Sequence, residues 1–143
     1  MYREKAREEK EGERRLWERC VNRLRFSICS DLKKRGVRNV FIACHDNLKG
    51  LGDAINAVFS EAKQQLCIVH QGRNSAKFVP WKDRKAVCAD LKKIYSAVNL
   101  DAAEYAKEEF REKWDQKYPS ILRSWDTNWA ELTTFFAYPE QIQ

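Results

Sequence analysis

Three groups of residues in this sequence have side chains that could do chemistry. Asp46 follows a short apolar run, Cys67 and His70 stand three positions apart, and basic residues concentrate between Gln71 and Asn99. Carboxylates hold hard cations such as Mg²⁺. Cysteine and histidine bind softer metals or act as nucleophile and base, and lysine and arginine bind phosphates. Each of these activities depends on the elements that hold the side chains in place.

Asp46 lies just beyond a predicted strand. Residues 40–44, Val-Phe-Ile-Ala-Cys, form a continuous apolar run, which is typical of a strand covered on both faces in a parallel sheet. Open α/β sheets bind ligands at the carboxyl ends of such strands. Phosphoryl-transfer enzymes bring several carboxylates together there to hold two metal ions about 3.5–4 Å apart. An aspartate in this position is also a common helix N-cap, so both interpretations stand.

The Cys67-x-x-His70 pair is also predicted to lie at the end of a strand. Residues 66–69, Leu-Cys-Ile-Val, predict a second buried strand that ends in His70, so a βαβ unit would place Asp46 and His70 at corresponding strand ends. Structural zinc needs four ligands, and the sequence offers only His45 and scattered cysteines besides this pair, so we expect no structural zinc. The remaining alternatives are a functional pair, or a buried cysteine beside a capping or hydrogen-bonded histidine.

Positive charge is concentrated in one fifth of the chain. The segment from Gln71 to Asn99 carries seven basic residues and two acidic ones, a net of +5 out of +6 for the whole chain. The basic residues are Arg73, Lys77, Lys82, Arg84, Lys85, Lys92 and Lys93. Such a cluster fits either a polyanion-binding surface or an ordinary solvated helix face.

The elements before Pro80 predict a small α/β part. Residues 1–15 are a charged segment of mixed sign without an apolar period. Apolar residues at helical spacing then predict an amphipathic helix that ends near Gly36, whose glycine can take the left-handed position after a helix. The members of that stripe are Trp17, Val21, Leu24 and Ile28, with Cys20 and Leu32 beside them. A second helix is predicted from Leu51, Ile55, Val58 and Phe59.

The pattern after Pro80 is helical throughout. A first stripe consists of Val87, Leu91, Ile94 and Val98. Asp101 with Glu104 resembles a capping box that opens the next helix, whose stripe is Ala106, Phe110, Trp114 and Tyr118, followed by Pro119. A last helix is predicted from Leu122, Trp125, Trp129 and Leu132. We interpret these aromatic stripes as core residues.

Composition excludes several classes of protein. The chain has 143 residues, 43% of them hydrophobic and 34% charged, which is typical of a globular protein with one main core. No apolar run approaches the length of a membrane span, and the N-terminal residues lack the apolar stretch of a signal peptide. Five cysteines without a C-x-x-C pair indicate reduced thiols. We therefore expect a cytoplasmic protein without a membrane partner.

Several blocks of this sequence resemble the bacterial insertion-sequence transposases of the Mutator superfamily. They occur in the order and spacing of that family and cover roughly Leu32 to Ile142. The blocks are residues 41–50 (FIACHDNLKG), 65–75 (QLCIVHQGRNS), 81–85 (WKDRK), 113–119 (KWDQKYP) and 135–139 (FFAYP).

This resemblance implies a fold, a function and a set of roles. The fold would be a partial ribonuclease-H-like core over residues 16–79, followed by an all-helical insertion domain over residues 80–143. Asp46 would be the second catalytic aspartate and a ligand of Mg²⁺ or Mn²⁺ in the complete enzyme. Cys67 and His70 would be the family's C-x-x-H motif and belong to the catalytic site. The DDE-type enzyme would cut and join DNA at element ends and target, and the complete enzyme would be a homo-oligomer.

The sequence also departs from the family pattern. Nothing before Leu16 resembles the strand of the family's first aspartate, and Glu140 precedes the segment in which the final glutamate is expected. Asn47 stands where the family usually has glycine. We therefore expect this chain to be inactive alone, because one carboxylate cannot hold two metal ions. The alternative function is a noncatalytic DNA-binding or interaction module derived from a transposase.

Overall fold

The computed structural model describes the backbone of residues 2–139 and the side chains of residue 11 and residues 18–139. Glu140 lies outside the described residues. The elements, in order, are α1 (Tyr2–Lys34), β1 (Ile42–His45), α2 (Leu51–Val58), β2 (Lys63–Leu66), α3 (Ile68–Lys77), α4 (Trp81–Tyr95), α5 (Leu100–Trp114), α6 (Pro119–Thr127), α7 (Trp129–Leu132) and a 3₁₀ turn, η1 (Thr134–Ala137). No helix in the described part of the chain is both long and apolar enough to cross a membrane.

The two strands form a small parallel sheet in the order β1–β2. The Lys63 amide donates to the Phe41 carbonyl at 2.9 Å, and the Cys67 amide donates to the His45 carbonyl at 2.7 Å. Donors and acceptors advance together along both strands, which is the pattern of parallel pairing. The predicted strand–helix–strand order, with α2 between the strands, is confirmed.

The predicted position of β2 is wrong. The strand covers Lys63–Leu66, and Ile68, Val69 and His70 form the first turn of α3. The apolar run at 66–69 is therefore divided between two elements: Leu66 is buried at the end of the strand, and Ile68 packs against the same core from the helix. A short apolar run does not by itself distinguish a strand from a buried helical turn.

The chain divides into two compact units. One contains the residues up to 43 together with 47–63, and the other contains 44–46 and the residues from 64 onward. The predicted domain boundary at residues 79 and 80 stays a prediction.

The first unit consists of α1 and α2 around a small core. Gly36 has φ +99°, and the Val37 and Gly36 amides donate to the Leu32 and Lys33 carbonyls, both at 3.1 Å. These are the two bonds of a Schellman helix end, so the predicted role of Gly36 is confirmed. The Lys33 ammonium donates to the Val58 carbonyl at 2.9 Å. This carbonyl is at the C-terminal end of α2, whose partial negative charge favours a cation.

The predicted apolar face of α1 does not form the core. Leu24 is 60% exposed and Ile28 is 55% exposed, whereas Cys29 is buried against the α2 core. That core consists of Cys29, Ala54, Ile55, Val58, Phe59 and Ala62. The side chain of Trp17 lies outside the described ones. The pattern predicted a helix correctly, but the face that packs on α2 is rotated from the apolar stripe.

The second unit holds the larger core, which α3 to α7 and the end of β2 surround. The predicted stripe of α4 is confirmed for Val87, Leu91 and Ile94, each at most 2% exposed. Val98 is 85% exposed because α4 ends at Tyr95. The aromatic core residues predicted on α5 and α6 are also confirmed, since Phe110, Trp114 and Trp125 are buried; Tyr118 and Trp129 pack against them.

Two predicted helix boundaries are corrected. The N-cap of α5 is Asn99, whose side chain accepts a hydrogen bond from the Ala102 amide at 2.8 Å. Asp101 lies inside the first turn and is not the cap. The predicted last helix is two helices, because α6 ends at Thr127 and α7 begins at Trp129.

Candidate functional site

Asp46 directly follows β1 and is half-buried. Asn47 has φ +61°, a left-handed conformation, and is the only non-glycine residue with positive φ in the described part of the chain. Asparagine tolerates this region better than other L-residues because its short amide can hydrogen-bond locally. Asn47 therefore adopts the left-handed conformation of this turn without a glycine.

Cys67 and His70 lie at the start of α3. Cys67 is the N-cap residue, and its carbonyl accepts a hydrogen bond from the Gln71 amide at 3.0 Å. The prediction that His70 ends a strand is wrong. His70 is exposed in the first turn of α3. Burial raises the pKa of the Cys44 thiol, and the neighbouring Cys67 raises it further.

Asp46 and Cys67 follow the carboxyl ends of two paired parallel strands and therefore lie at the same edge of the sheet. This edge is where open α/β sheets bind ligands. Among the described side chains, no three of His, Cys, Asp or Glu converge as a metal site. The donors present therefore do not form a complete site for a metal pair, and Asp46 can contribute one carboxylate to such a site.

A buried polar network fixes α3 against α6. The Gln71 side-chain amide donates to the Ser124 hydroxyl at 2.9 Å. The Ser75 hydroxyl donates to the Gln71 carbonyl at 2.9 Å and accepts from the Trp125 indole, also at 2.9 Å. Gln71 and Ser75 are both buried, so α3, which carries His70, is held in one rotational position.

Gln65 holds the end of β2 in a similar way. Its side-chain amide donates to the Leu132 carbonyl at 3.0 Å, and its side-chain oxygen accepts from the Phe135 amide at 2.8 Å. Sequence reasoning missed both networks. The four-residue spacing of Gln71 and Ser75, three and seven positions after Ile68, was the available helical signal.

The two carboxylates of α4 point toward α5. Asp90 accepts hydrogen bonds from the Lys113 ammonium at 2.7 Å and from the Trp114 indole at 2.9 Å, and it pairs with Lys93 at 3.0 Å. Burial alone would raise the pKa of Asp90, but the hydrogen bonds from Lys113, Trp114 and Lys93 outweigh it and lower the pKa to about 2.

Asp83, in the first turn of α4, is engaged in the same manner. It pairs with Lys117 and accepts a hydrogen bond from the Tyr118 hydroxyl at 2.5 Å. These two hydrogen bonds lower the pKa of the Asp83 carboxyl. Both acidic residues of the segment 68–95 are therefore neutralised by partners at the C-terminal end of α5 or just after it.

The predicted basic residues separate into two groups. Lys93 pairs with Asp90, Lys77 donates to the Asn74 side chain at 2.9 Å, and Arg84 donates to the Val79 carbonyl at 3.2 Å. The side chains of the others are exposed and make no hydrogen bond or ion pair with any described residue; they are Arg73, Lys82, Lys85 and Lys92. The outer face of α3 and α4 therefore presents cations without opposing carboxylates.

A strand-end carboxylate beside a compact helical unit with a basic outer face is an arrangement expected of a nucleic-acid-processing protein. The family model described as "Transposase, Mutator family" matches residues 14–143, and the chain belongs to this family.

Curated relatives agree with the family match. The chain is 46% identical over 117 residues to "Probable transposase for insertion sequence element ISRM3-like" of Sinorhizobium fredii. It is 44% identical over 117 residues to the transposase for ISRM3 of Rhizobium meliloti, and 35% identical over 116 residues to the transposase for IS905 of Lactococcus lactis. Each match covers 81% of this chain and 29% of the relative. The chain thus spans less than a third of the length of these relatives.

Proposed function

We propose that this chain is part of a DDE-type DNA transposase with a ribonuclease-H-like core, and that the complete protein cuts and joins DNA during transposition of an insertion element. Asp46 is the catalytic carboxylate that this chain contributes, at the edge where two parallel strands end. The observation that carries the proposal is this placement in a chain that belongs to the Mutator family of transposases.

The metal of the complete enzyme would be Mg²⁺ or Mn²⁺, because a carboxylate oxygen suits a hard cation. Such a metal stabilises charge on the reacting phosphate and activates the attacking oxygen. Asp46 supplies one ligand, and among the described residues no group of three or more metal-binding side chains forms with it. The isolated chain is therefore expected to lack strand-transfer activity.

The test of Asp46 uses a complete transposase of the family that contains this segment. Replacing the aspartate by asparagine should abolish cleavage of labelled element-end DNA, by at least about a thousandfold, because the metal loses a charged ligand. DNA binding should change less than about threefold. Equal loss of binding and cleavage would assign Asp46 a structural role.

Two controls accompany this experiment. In the first control, Asn47 is replaced by glycine. Glycine also tolerates the left-handed conformation of this turn, so cleavage should persist. The isolated chain is incubated with the same DNA and Mn²⁺ beside its own Asp46→Ala variant. Specific nicking by the chain above that variant would show that the chain is active without further carboxylates.

Cys67 and His70 are proposed to support the same site, with His70 hydrogen-bonding a phosphate or orienting an active-site group. His70 is exposed, so His70→Ala should change the free energy of unfolding by no more than about 0.5 kcal/mol. In the complete transposase the same change should reduce cleavage about tenfold or more. Unchanged cleavage in a folded variant would remove His70 from the site.

The second candidate function is a noncatalytic DNA-binding module, and the basic outer face of α3 and α4 favours it. The Asp46 variant distinguishes the two functions: a module that only binds DNA would perform its role in transposition equally well with asparagine at position 46.

A further inference from the structure

The turn between α3 and α4 exposes two large aromatic side chains. Trp81 is 84% exposed and Phe78 is 70% exposed, while Val79 between them is 2% exposed and anchors the turn in the core. Exposing an indole and a phenyl ring forgoes the stabilisation that their burial would give. Exposed apolar side chains mark binding sites when they occur together rather than singly, and Phe78 and Trp81 stand three positions apart in one turn.

The surroundings of Trp81 are cationic. The Arg84 guanidinium lies 6.0 Å from the centre of the Trp81 ring, and a hydrogen bond to the Val79 carbonyl holds it there. Lys85 and Lys92 follow Trp81 by four and eleven positions on α4, which places all three on one exposed stripe of the helix. An aromatic platform is thus continuous with a row of ammonium groups.

No acidic side chain opposes this surface from α3 or α4. The segment 68–95 contains only Asp83 and Asp90, and both are turned to partners on or just after α5. The charge and the aromatic character therefore select for an anionic partner with flat, unpaired rings. A single-stranded nucleic acid has both properties, because its phosphates carry the charge and its bases can stack.

We propose that the α3–α4 turn is a binding site for single-stranded DNA, in which unpaired bases stack on Trp81 and Phe78 and phosphates lie along Lys85 and Lys92. This inference rests on the proposed DNA-processing function and deepens it, since it names the form of DNA that contacts this surface. Base pairs in an intact duplex cannot offer their faces to the two rings, so the aromatic residues recognise opened strands.

The experiment measures binding of the full chain to three labelled probes by fluorescence anisotropy. The probes are a single-stranded 12-nucleotide DNA, an abasic strand of equal length and the matching duplex. The wild-type chain should bind the single strand more tightly than the abasic one. Trp81→Ala should weaken binding to the base-containing strand about 5- to 100-fold, which corresponds to stacking of one base, and should change binding to the abasic strand less than twofold.

Tyr105→Ala is the matched control, because Tyr105 is 70% exposed on α5 and lies outside this turn; its affinities should equal those of the wild type. Thermal unfolding confirms that Trp81→Ala is folded, and Phe78→Ala gives a second, independent variant. Equal affinity for base-containing and abasic strands would overturn the inference. If Lys85 and Lys92 still govern duplex binding in that case, the proposed DNA surface survives without the stacking site. If no probe binds, the DNA surface is contradicted as well.

Discussion

The inner and outer faces of α4 carry charged residues of opposite sign and different roles. On the inner face, Asp83 and Asp90 receive hydrogen bonds from lysine, tyrosine and tryptophan side chains at the end of α5 and just after it. On the outer face, Lys82, Lys85 and Lys92 are exposed and form no ion pair with a described residue. The helix thus uses its carboxylates for folding and leaves its ammonium groups available for a partner.

This difference explains why net charge alone is a poor guide to the surface. The α4 sequence contains both signs, yet the acids are satisfied internally, so the charge that a partner meets is more positive than the composition indicates. Buried or half-buried acids with several donors contribute to stability, whereas exposed cations contribute little to it. Inner and outer residues should therefore respond differently to substitution.

The largest expected effect on stability is at the inner face. Asp90→Ala should lower the free energy of unfolding by about 2–3 kcal/mol, because it removes a charged acceptor and leaves the Trp114 indole without its partner. Chemical denaturation with urea measures the change. Glu112→Ala is the control, since Glu112 is an exposed acid on α5 and should change stability by less than about 0.5 kcal/mol. Equal effects of the two substitutions would contradict the role of Asp90.

Acid should weaken the inner face in a defined pH window. The pKa of folded Asp90 is about 2, below its ordinary value of 3.8, so its contribution to stability is complete above about pH 4 and is lost as the pH falls toward 2. Lysine and tyrosine hydrogen bonds also lower the pKa of Asp83, which adds to the loss in the same direction. Thermal unfolding at pH 7, 4 and 2.5 follows the effect.

Asp90→Asn isolates the charge in that experiment, since the amide oxygen can still accept a hydrogen bond. The variant should be less stable than the wild type at pH 7, and the difference should shrink between pH 4 and 2.5. A difference that stays constant over this range would show that the Asp90 charge does not stabilise the fold.

Sequence patterns predict which helices and strands form better than they predict where these elements end and which faces pack together. Val87, Leu91 and Ile94 were found because their spacing follows the helical period and their burial is nearly complete. The predicted position of β2 is wrong because Leu66 and Ile68 stand in one apolar run but belong to different elements. The face of α1 was misassigned because Cys29, a small residue, makes the buried contact while larger neighbours remain exposed.

The candidate site was predicted only in part, for a related reason. Asp46 follows β1 as expected, because a carboxylate after an apolar strand is a local signal. The sequence predicts His70 at the end of a strand, whereas His70 lies on α3. The helix is held by hydrogen bonds of Gln71 and Ser75 to residues far along the chain, and a local pattern does not reveal these. The exposure of Trp81 likewise follows from the turn anchored by Val79, which no spacing rule indicates.

The salt dependence of DNA binding tests whether the outer face of α4 is the surface that contacts DNA. Duplex affinity of the chain is measured from about 50 to 200 mM salt for the wild type and for the Lys85→Ala/Lys92→Ala double variant. A Lys34→Ala/Lys63→Ala variant, which removes two exposed lysines from the other compact unit, is the charge-matched control. The free energies of unfolding of all three proteins should agree within about 0.5 kcal/mol.

We predict that the Lys85→Ala/Lys92→Ala variant binds duplex DNA more weakly. The slope of its log binding constant against log salt concentration should be smaller in magnitude by about two, because each of two lost phosphate contacts contributes about 0.9. The control should retain the wild-type slope. A slope that is unchanged in the Lys85→Ala/Lys92→Ala variant, or reduced equally in the control, would contradict the assignment of this face to DNA.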